Sequence, residues 1–252
     1  MNSRLTLIGA GPGDPELITL KGIRALATGD VVLYDALVNT ELLQFVPAHV
    51  PRVYVGKRSG RHSYTQAEIN TLIVDLARQY GHVVRLKGGD SFVFGRGYEE
   101  LRYAEDHGIP VTVVPGISSS IAVPELQKIP LTARGVSESY WVITATNRHR
   151  ELSKDLRVAV NTDATIIVLM GVAKLSEIRQ LYLDAGKASI PVALIQNGSL
   201  PEERTVVSTM EHITDEMEHH QIGAPAVIVI GEVVKEHSDY KYIAQTYVHS
   251  RC

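Results

Sequence analysis

Cysteine is almost absent from this chain of 252 residues, because its one cysteine, Cys252, is the last residue. An internal disulfide and a CxxC metal site are therefore excluded, and a reducing compartment fits. No apolar run approaches the roughly 18 residues of a membrane span. The N-terminus also lacks the basic region, apolar stretch and cleavage site of a signal peptide. We therefore expect a cytoplasmic protein without a membrane partner.

A basic excess is missing as well, since the formal net charge is −3 at pH 7 and the isoelectric point is about 6.4. Nucleic-acid-binding proteins usually carry a basic surface, so we expect no nucleic-acid partner. The chain has no P-loop and no GxSxG elbow, which argues against P-loop nucleotidases and serine hydrolases. The histidines show no HExxH or other metal spacing, so we expect no metal.

Short apolar runs alternate with amphipathic stretches along the chain. Strands are predicted at Leu5–Ile8, Val31–Tyr34, Val83–Leu86, Val111–Val114, Tyr140–Thr144, Thr165–Met170, Val192–Gln196, Arg204–Ser208 and Ala226–Ile230. Helices are predicted at Thr65–Tyr80, Gly95–His107 and Ala173–Ala185, the first opened by a capping box of Thr65 and Glu68. This alternation predicts an α/β protein with a mainly parallel sheet in its first half and a mixed sheet in its second. We expect two α/β domains, 1–134 and 135–240, and a tail at 241–252.

Two glycine-rich loops follow predicted strands in the first half. The first runs from Gly9 to Pro15, and the second, from Gly88, carries Asp90 between the cations Lys87 and Arg96. Glycine lets a backbone turn sharply and approach a ligand closely, and ligands of open α/β sheets bind at the carboxyl ends of strands. The first loop is not a dinucleotide fingerprint, because Asp14 takes the place of the last glycine. Together the loops predict a small-molecule pocket, with Asp90 as an acceptor for a hydroxyl or ammonium group.

Three other segments have a structural interpretation beside a functional one. The serines after Gly116 could cap a helix, or could present hydroxyl and N–H groups to a ligand carboxylate. Asp35 ends the second predicted strand and could be a base or a helix cap. The run from Arg52 to His62 has four basic residues and no acidic one. Such a run is usually a solvated surface, but it would also suit a small polyanion.

Taken together and in this order, these segments resemble the uroporphyrinogen-III C-methyltransferase branch of the tetrapyrrole (precorrin-type, class III) methyltransferase family. The resemblance runs from about Leu5 to Val234. GAGPGDPELITLKG, from Gly9 to Gly22, matches a signature of the whole family. The segments that match this branch or continue the resemblance are YDALV, GKR, RLKGGD, FVFGRG, IPLTAR, LMG, QNG and PAVIVIGEVV.

The resemblance implies two α/β domains with S-adenosylmethionine in a cleft between them. Matched position by position, it assigns cofactor contacts to Pro12, Gly88, Gly89, Asp90, Val93, Ser118, Ser119, Met170 and Gly198. It assigns proton transfer to Asp35 and Lys57, and tetrapyrrole binding to Arg96, Glu99 and Arg134. The implied reaction is methylation of uroporphyrinogen III at C2 and C7 to give precorrin-2, by a homodimer without a metal. Because the chain starts at the methyltransferase strand, we expect it to methylate only.

Uroporphyrinogen III has eight carboxylates, so a chain of net charge −3 needs concentrated positive charge to hold it. The candidates are Arg52, Lys57, Arg58, Arg61, Arg96 and Arg134. We expect the arginines to set the orientation of the macrocycle, because arginine pairs with carboxylates through two hydrogen bonds.

The chain departs from the family pattern mostly at substrate-side positions. Serine 91 replaces the usual proline, Tyr98 a glycine and Ala133 a histidine, while Ser118-Ser119 and Thr144–Asn147 are also atypical. Two alternatives therefore stay open. One is a methyltransferase of the same fold acting on a later precorrin or an rRNA nucleoside. The other is a non-catalytic protein that binds S-adenosylmethionine or a tetrapyrrole, against which the intact Asp35, Lys57 and Arg96 argue.

Overall fold

The computed structural model describes residues 3–56 and 64–240 and divides into two compact units, Met1–Ser118 and Ser119–Cys252. The division comes earlier than the predicted boundary at 134/135. The reason is packing, because Val123 and Ile129 are buried in a core that also contains Ile167 and Val229 of the second unit. In the part of the chain that the structure describes, no helix has the length and apolar character needed to cross a membrane.

The first unit contains a five-stranded sheet in which every pair of neighbouring strands is parallel. The strands are β1 (Arg4–Gly9), β2 (Val31–Tyr34), β3 (Arg52–Tyr54), β4 (His82–Lys87) and β5 (Val111–Val114). Their order across the sheet is β3-β2-β4-β1-β5. The helices are α1 (Leu20–Leu26), α2 (Gln66–Tyr80) and α3 (Gly97–Asp106), with 3-10 turns at Pro15–Leu17 and Thr40–Phe45. The predicted parallel sheet is confirmed.

Helix α2 begins with the capping box that its sequence predicts. The Thr65 hydroxyl accepts from the Glu68 N–H, and the Glu68 carboxylate accepts from the Thr65 N–H at 2.6 Å. The helix then buries Ile69, Ile73 and Ala77 in a core shared with strands β1, β2 and β4. The cap satisfies N–H groups that the helix itself leaves unpaired, and burial of the apolar face fixes the helix on the sheet.

The second unit contains a mixed five-stranded sheet, as the sequence predicts. Its strands are β6 (Tyr140–Thr144), β7 (Thr165–Leu169), β8 (Pro191–Gln196), β9 (Arg204–Thr209) and β10 (Ala226–Ile230). Their order is β6-β7-β10-β8-β9, with β6 and β7 parallel and the other neighbours antiparallel. The helices are α4 (Ser119–Leu126), α5 (Lys154–Ala159), α6 (Leu175–Asp184) and α7 (Ile213–His219), with 3-10 turns at Val172–Lys174 and Glu232–Glu236.

His82 ties β1, β4 and the turn before β2 together. The imidazole Nε2 lies 2.8 Å from the Thr6 hydroxyl, and Nδ1 lies 2.8 Å from the Thr28 carbonyl oxygen. A neutral ring that donates from Nδ1 and accepts at Nε2 satisfies both contacts. Burial is the main cause that lowers the pKa of His82 below its ordinary value, and Arg4 adds to the effect.

We predict that acid destabilises the first unit through His82. A pKa that is lower in the folded than in the unfolded state means that protonation favours unfolding. The His82 contribution is therefore complete above the unfolded value of 6.5 and is lost as the pH falls below it. His82→Gln should flatten the dependence of the free energy of unfolding on pH in this range, as measured by urea titration. His219→Gln, at an exposed histidine, is the control; an equal slope in both variants would contradict the prediction.

Candidate functional site

Loops of the first unit meet at one edge of its sheet, because its strands are parallel and their carboxyl ends coincide. The loops after β1 and β4 are joined by two backbone hydrogen bonds between Gly11 and Gly89. The Gly11 N–H donates to the Gly89 oxygen at 3.2 Å, and the Gly89 N–H donates to the Gly11 oxygen at 2.6 Å. The two glycine-rich loops that the sequence singles out are therefore neighbours in the structure.

A close approach of three glycines brings the loop after β5 to the same place. A Cβ atom on Gly9 would lie 2.5 Å from the Gly116 nitrogen and 2.7 Å from the Gly89 oxygen. Real Cβ atoms do not come so near to backbone atoms, so Gly9 must be glycine. The same reasoning applies to Gly116, whose Cβ would lie 2.6 Å from the Gly9 Cα. The three backbones thus touch without a side chain between them.

Asp90 connects the second glycine-rich loop to the loop after β5. One carboxylate oxygen accepts from the Phe92 N–H at 2.8 Å, and the other accepts from the Gly116 N–H at 3.0 Å. Each oxygen of a carboxylate has two lone pairs, so each keeps one for a ligand. Asp90 is half-buried. Its position suits the hydroxyl or ammonium group that the sequence predicts, while its role as a brace between loops was not predicted.

A buried charge group, defined as Asp35, Arg85, Lys87 and Glu100, lies in the same unit. Glu100 Oε1 is 3.0 Å from Lys87 Nζ and 3.3 Å from Arg85 Nε, and Arg85 Nη2 is 3.1 Å from Asp35 Oδ2. The Glu100 side chain is 0% exposed and that of Asp35 is 25% exposed. The four formal charges cancel, which is the condition for holding ions in an interior.

Lys87 is buried, whereas the sequence predicted that it would flank the second loop and present a positive charge there. Burial is the main cause that lowers the pKa of Lys87, Arg85 adds to the effect, and Glu100 opposes it. Sequence reasoning also missed the roles of Arg85 and Glu100. A signal was available, because Arg85 and Lys87 are two residues apart in an apolar strand and so share one face. Two buried cations need an anion, and Glu100 is the one that pairs with both.

Arg96 and Glu99, which are predicted to bind the substrate, form an ion pair with each other. Arg96 Nε donates to Glu99 Oε1 at 2.8 Å and Nη2 donates to Oε2 at 2.6 Å. Their hydrogen bonds raise the pKa of Arg96 and lower the pKa of Glu99. Both side chains are about half exposed, at 54% and 50%, so water and salt screen the pair and a competing carboxylate can replace Glu99.

The other predicted residues of the first unit lie at different depths. Pro12 is half-buried in the first loop, Val93 is 37% exposed in the second, and Ser118 is buried. Arg52 donates to the carbonyl oxygen of Val46 at 3.1 Å and thus stabilises a turn. Lys57, Arg58 and Arg61 lie outside the described residues.

In the second unit, Met170 and Gly198 lie at one edge of the sheet. They follow β7 and β8, which run in the same direction because both are antiparallel to β10. A Cβ on Gly198 would lie 2.5 Å from Val123 Cγ1, so this glycine lets its loop pack against α4, the helix that begins at Ser119. Met170 is 59% exposed. Met170 and Gly198 thus follow strands that end on the same side of the sheet, with β10 between those strands.

Arg134 is exposed and makes no hydrogen bond or ion pair with residues 3–56 or 64–240. An exposed guanidinium of this kind can pair with an incoming carboxylate without breaking an existing bond. In this it differs from Arg96, which must first leave Glu99.

Ser91, where the family usually has proline, is a buried residue of the second loop. It is 1% exposed, and its carbonyl oxygen accepts from the Gly97 N–H at 2.8 Å. Its hydroxyl has no hydrogen-bond partner among the described residues. The backbone contact holds the loop in place, and nothing in the structure explains the choice of serine.

Residues 4–214 match the family model of tetrapyrrole (corrin/porphyrin) methylases. The chain is 43% identical over 236 residues to the uroporphyrinogen-III C-methyltransferase of Methanocaldococcus jannaschii, covering 93% of this chain and 98% of that protein. The chain is also 42% identical to the siroheme synthase of Chromobacterium violaceum over 91% of this chain. It spans about half the length of that relative, because the match covers 49% of the siroheme synthase. It also resembles the crystal structure of uroporphyrin-III C-methyl transferase from Thermus thermophilus complexed with S-adenyl homocysteine. That match has a TM-score of 0.79 and 39% identity, and covers 92% of this chain and 93% of the other.

We predict that Gly9→Ala destabilises the protein, because the added methyl group forces the three loops apart. Overpacking of this kind costs roughly 1–3 kcal/mol. Gly223→Ala is the control, since its Cβ would meet its nearest neighbour, Gln196 Nε2, at an ordinary 3.6 Å. Chemical denaturation of both variants measures the difference. Equal stability of Gly9→Ala and the unmodified protein would mean that the close approach is absent in solution.

Proposed function

Because this chain belongs to the family of tetrapyrrole (corrin/porphyrin) methylases, we propose that it transfers methyl groups from S-adenosylmethionine to carbon atoms of uroporphyrinogen III. The proposed positions are C2 and C7, and the proposed product is precorrin-2. The observation that carries the proposal is the similarity to the uroporphyrinogen-III C-methyltransferase of Methanocaldococcus jannaschii over nearly the full length of both chains. The braced loops at the edge of the first sheet support it, because they offer a place where a small molecule can meet backbone and carboxylate groups.

The methyl donor is proposed to bind against the second loop. Asp90 supports this assignment, because each of its oxygens keeps a lone pair for an ammonium or hydroxyl group. The full proposed set of contacts is Pro12, Gly88, Gly89, Asp90, Val93, Ser118, Ser119, Met170 and Gly198. S-adenosylmethionine supplies a methyl group already activated by a positive sulfur, so the proposed reaction needs no metal. The residues therefore have to align the reactants and exclude water.

The proposed substrate is held by charge. Arg134 is exposed and free to pair, and Arg96 can exchange Glu99 for a substrate carboxylate. A guanidinium binds a carboxylate through two parallel hydrogen bonds, which fixes direction as well as distance. Arg52 is a weaker candidate than the sequence suggested, because its guanidinium already donates to backbone carbonyl groups.

Asp35 is proposed to remove the proton that the methylated macrocycle must lose. The new carbon–carbon bond uses an electron pair of the ring, so the positive charge passes from sulfur to the macrocycle. Loss of a proton to Asp35 restores a neutral ring. The side chain of Asp35 is partly exposed and lies at the carboxyl end of β2, which supports this role. Lys57 is proposed as a second proton-transfer residue.

We also propose a homodimer in the cytoplasm. The edge strand β6 supports self-association, because Trp141 on this strand and Val136, which line the same surface depression, are 36% and 41% exposed. Apolar residues grouped on a surface are typical of protein interfaces.

The proposed activity predicts that the purified chain adds two methyl groups to each uroporphyrinogen III molecule in the presence of S-adenosylmethionine carrying an isotopically labelled methyl group. Mass spectrometry counts the labels. Asp35→Asn should lower turnover by about 100-fold or more, because a positioned base contributes roughly 10²–10⁴-fold, and should leave the donor Kd unchanged. Asp75→Asn, at an exposed carboxylate of α2, is the control.

Two outcomes would contradict the proposal. Binding of donor and macrocycle without any methyl transfer would indicate a non-catalytic binding protein. Transfer to a later precorrin but not to uroporphyrinogen III would indicate the other branch of the family.

Arg134→Ala should raise the KM for uroporphyrinogen III about 10- to 100-fold, because a hydrogen bond to a charged group is worth about 1.5–3 kcal/mol. The Kd for S-adenosylmethionine should not change. Arg102→Ala is the matched control, since Arg102 is also exposed but pairs with Glu105 and Asp106 on its own helix. Both variants are assayed at two salt concentrations. A normal KM, or a loss of donor binding as well, would exclude Arg134 from the substrate site.

A further inference from the structure

The three guanidinium nitrogens of Arg85 donate hydrogen bonds to three different acceptors. Nη1 donates to the Leu86 carbonyl oxygen at 2.9 Å, Nε donates to Glu100 at 3.3 Å, and Nη2 donates to Asp35 at 3.1 Å. The side chain is 3% exposed, and β4 is the central strand of the sheet. A planar fork held at three points cannot turn without breaking bonds. The interior of the unit therefore fixes the direction of the Nη2 bond.

The buried Glu100 carboxylate accepts hydrogen bonds from three side chains. Its Oε1 accepts from Arg85, from Lys87 at 3.0 Å and from Gln66 Nε2 at 3.2 Å. Helix α3, strand β4 and the first residue of α2 thus meet at one oxygen atom. Its Oε2 has no partner among the described residues, which is a cost to stability. Because buried ion pairs often add little net stability, this group calls for an explanation other than stability.

Asp35 is held at both carboxylate oxygens. Oδ2 accepts from Arg85, and Oδ1 accepts from the Leu37 N–H at 3.2 Å. Leu37 lies against Gly88, because its Cβ is only 2.7 Å from the position that a Cβ on Gly88 would take. Each Asp35 oxygen keeps a lone pair, and the side chain is 25% exposed. The carboxylate is therefore fixed in direction and still open to a reactant.

We propose that Arg85 is a positioning residue, which orients the Asp35 carboxylate for proton removal, and that Glu100, itself paired with Lys87, holds Arg85 in place. The proposal rests on the proposed function of Asp35 as the base. In that step the proton passes from a ring atom of the methylated macrocycle to an Asp35 oxygen, and the carbon–hydrogen electron pair stays with the ring. Arg85 exchanges no proton and touches no substrate. It acts by keeping the accepting lone pair at one position.

A double-mutant cycle tests this role. The variants are Arg85→Lys, Asp35→Asn and the two combined, assayed for kcat and KM with uroporphyrinogen III and S-adenosylmethionine. Lysine keeps the positive charge but cannot span three acceptors. Arg85→Lys should lower kcat about 10- to 100-fold, the size expected for a small misplacement of a reacting group, with KM and donor Kd unchanged. In the Asp35→Asn background the same change should alter kcat less than about 2-fold, because a residue that acts through Asp35 has nothing left to orient.

The outcomes separate the two proposals. If the losses multiply in the double variant, or if Arg85→Lys keeps the normal kcat, Arg85 does not act through Asp35. If Asp35→Asn keeps full turnover, Asp35 is not the base, and the positioning role fails with that part of the proposed function. Failure of the unmodified protein to methylate uroporphyrinogen III would instead overturn the proposed function as a whole.

Glu100→Gln gives a second route if Arg85→Lys does not fold. It keeps the shape of the side chain and removes the charge that holds Arg85, so it should lower kcat less than Arg85→Lys does. This loss should also disappear in the Asp35→Asn background. Glu105→Gln, on the exposed side of the same helix, is the control and should leave kcat unchanged. Thermal unfolding of each variant establishes that it is folded.

Discussion

The contact of three backbones at Gly9, Gly89 and Gly116 is the constraint on which the first unit's site depends. Parallel strands place the three loops at one edge of the sheet, but only the absence of side chains lets them touch. Once they touch, the Asp90 carboxylate reaches the Gly116 N–H and closes the arrangement. Glycine here costs conformational entropy on folding. The hydrogen bonds between the loops and the defined position of Asp90 offset this cost.

The charged residues of the first unit that bear on the site lie in two environments, one buried and one exposed to water. Arg85, Lys87 and Glu100 are nearly inaccessible to water, so solvent and salt screen their interactions only weakly. Their side chains therefore keep fixed orientations. Arg96 and Glu99 are half exposed, so their pairing is weak and exchangeable. A base has to stay in one place, whereas a residue that binds and releases a polyanion has to change partners. The two environments match the roles proposed for Asp35 and for Arg96.

Much of the fold could be predicted from sequence, because its signals are local. The strands at Val31–Tyr34, Val111–Val114, Tyr140–Thr144 and Ala226–Ile230 have the bounds that their apolar runs predict, and Thr65 with Glu68 marks the start of α2. The short helices α1 and α5 were not predicted. The second unit begins before the predicted boundary, because the packing of Val123 and Ile129 depends on contacts distant in sequence.

The candidate site could be predicted only in part, for the same reason. Glycine patterns identify the loops, while the roles that the family resemblance assigns to Asp35, Asp90 and Arg134 stay predictions. No local pattern shows that Asp90 also binds Gly116, or that Lys87 faces Glu100 in the interior rather than a ligand. Those contacts arise from sheet register and from the position of α3. The role assigned to Lys57 stays a prediction, since that residue lies outside the described part of the chain.

The most direct measurement is a crystal structure of this protein with S-adenosylhomocysteine, the demethylated product of the proposed donor. The predicted result is ligand density against Gly88 and Gly89, with an ammonium or hydroxyl group within hydrogen-bond distance of Asp90 and with the Asp90 bonds to Phe92 and Gly116 retained. A ligand bound away from the edge formed by the three glycine contacts, or one that leaves Asp90 without a polar contact, would contradict the proposed donor site.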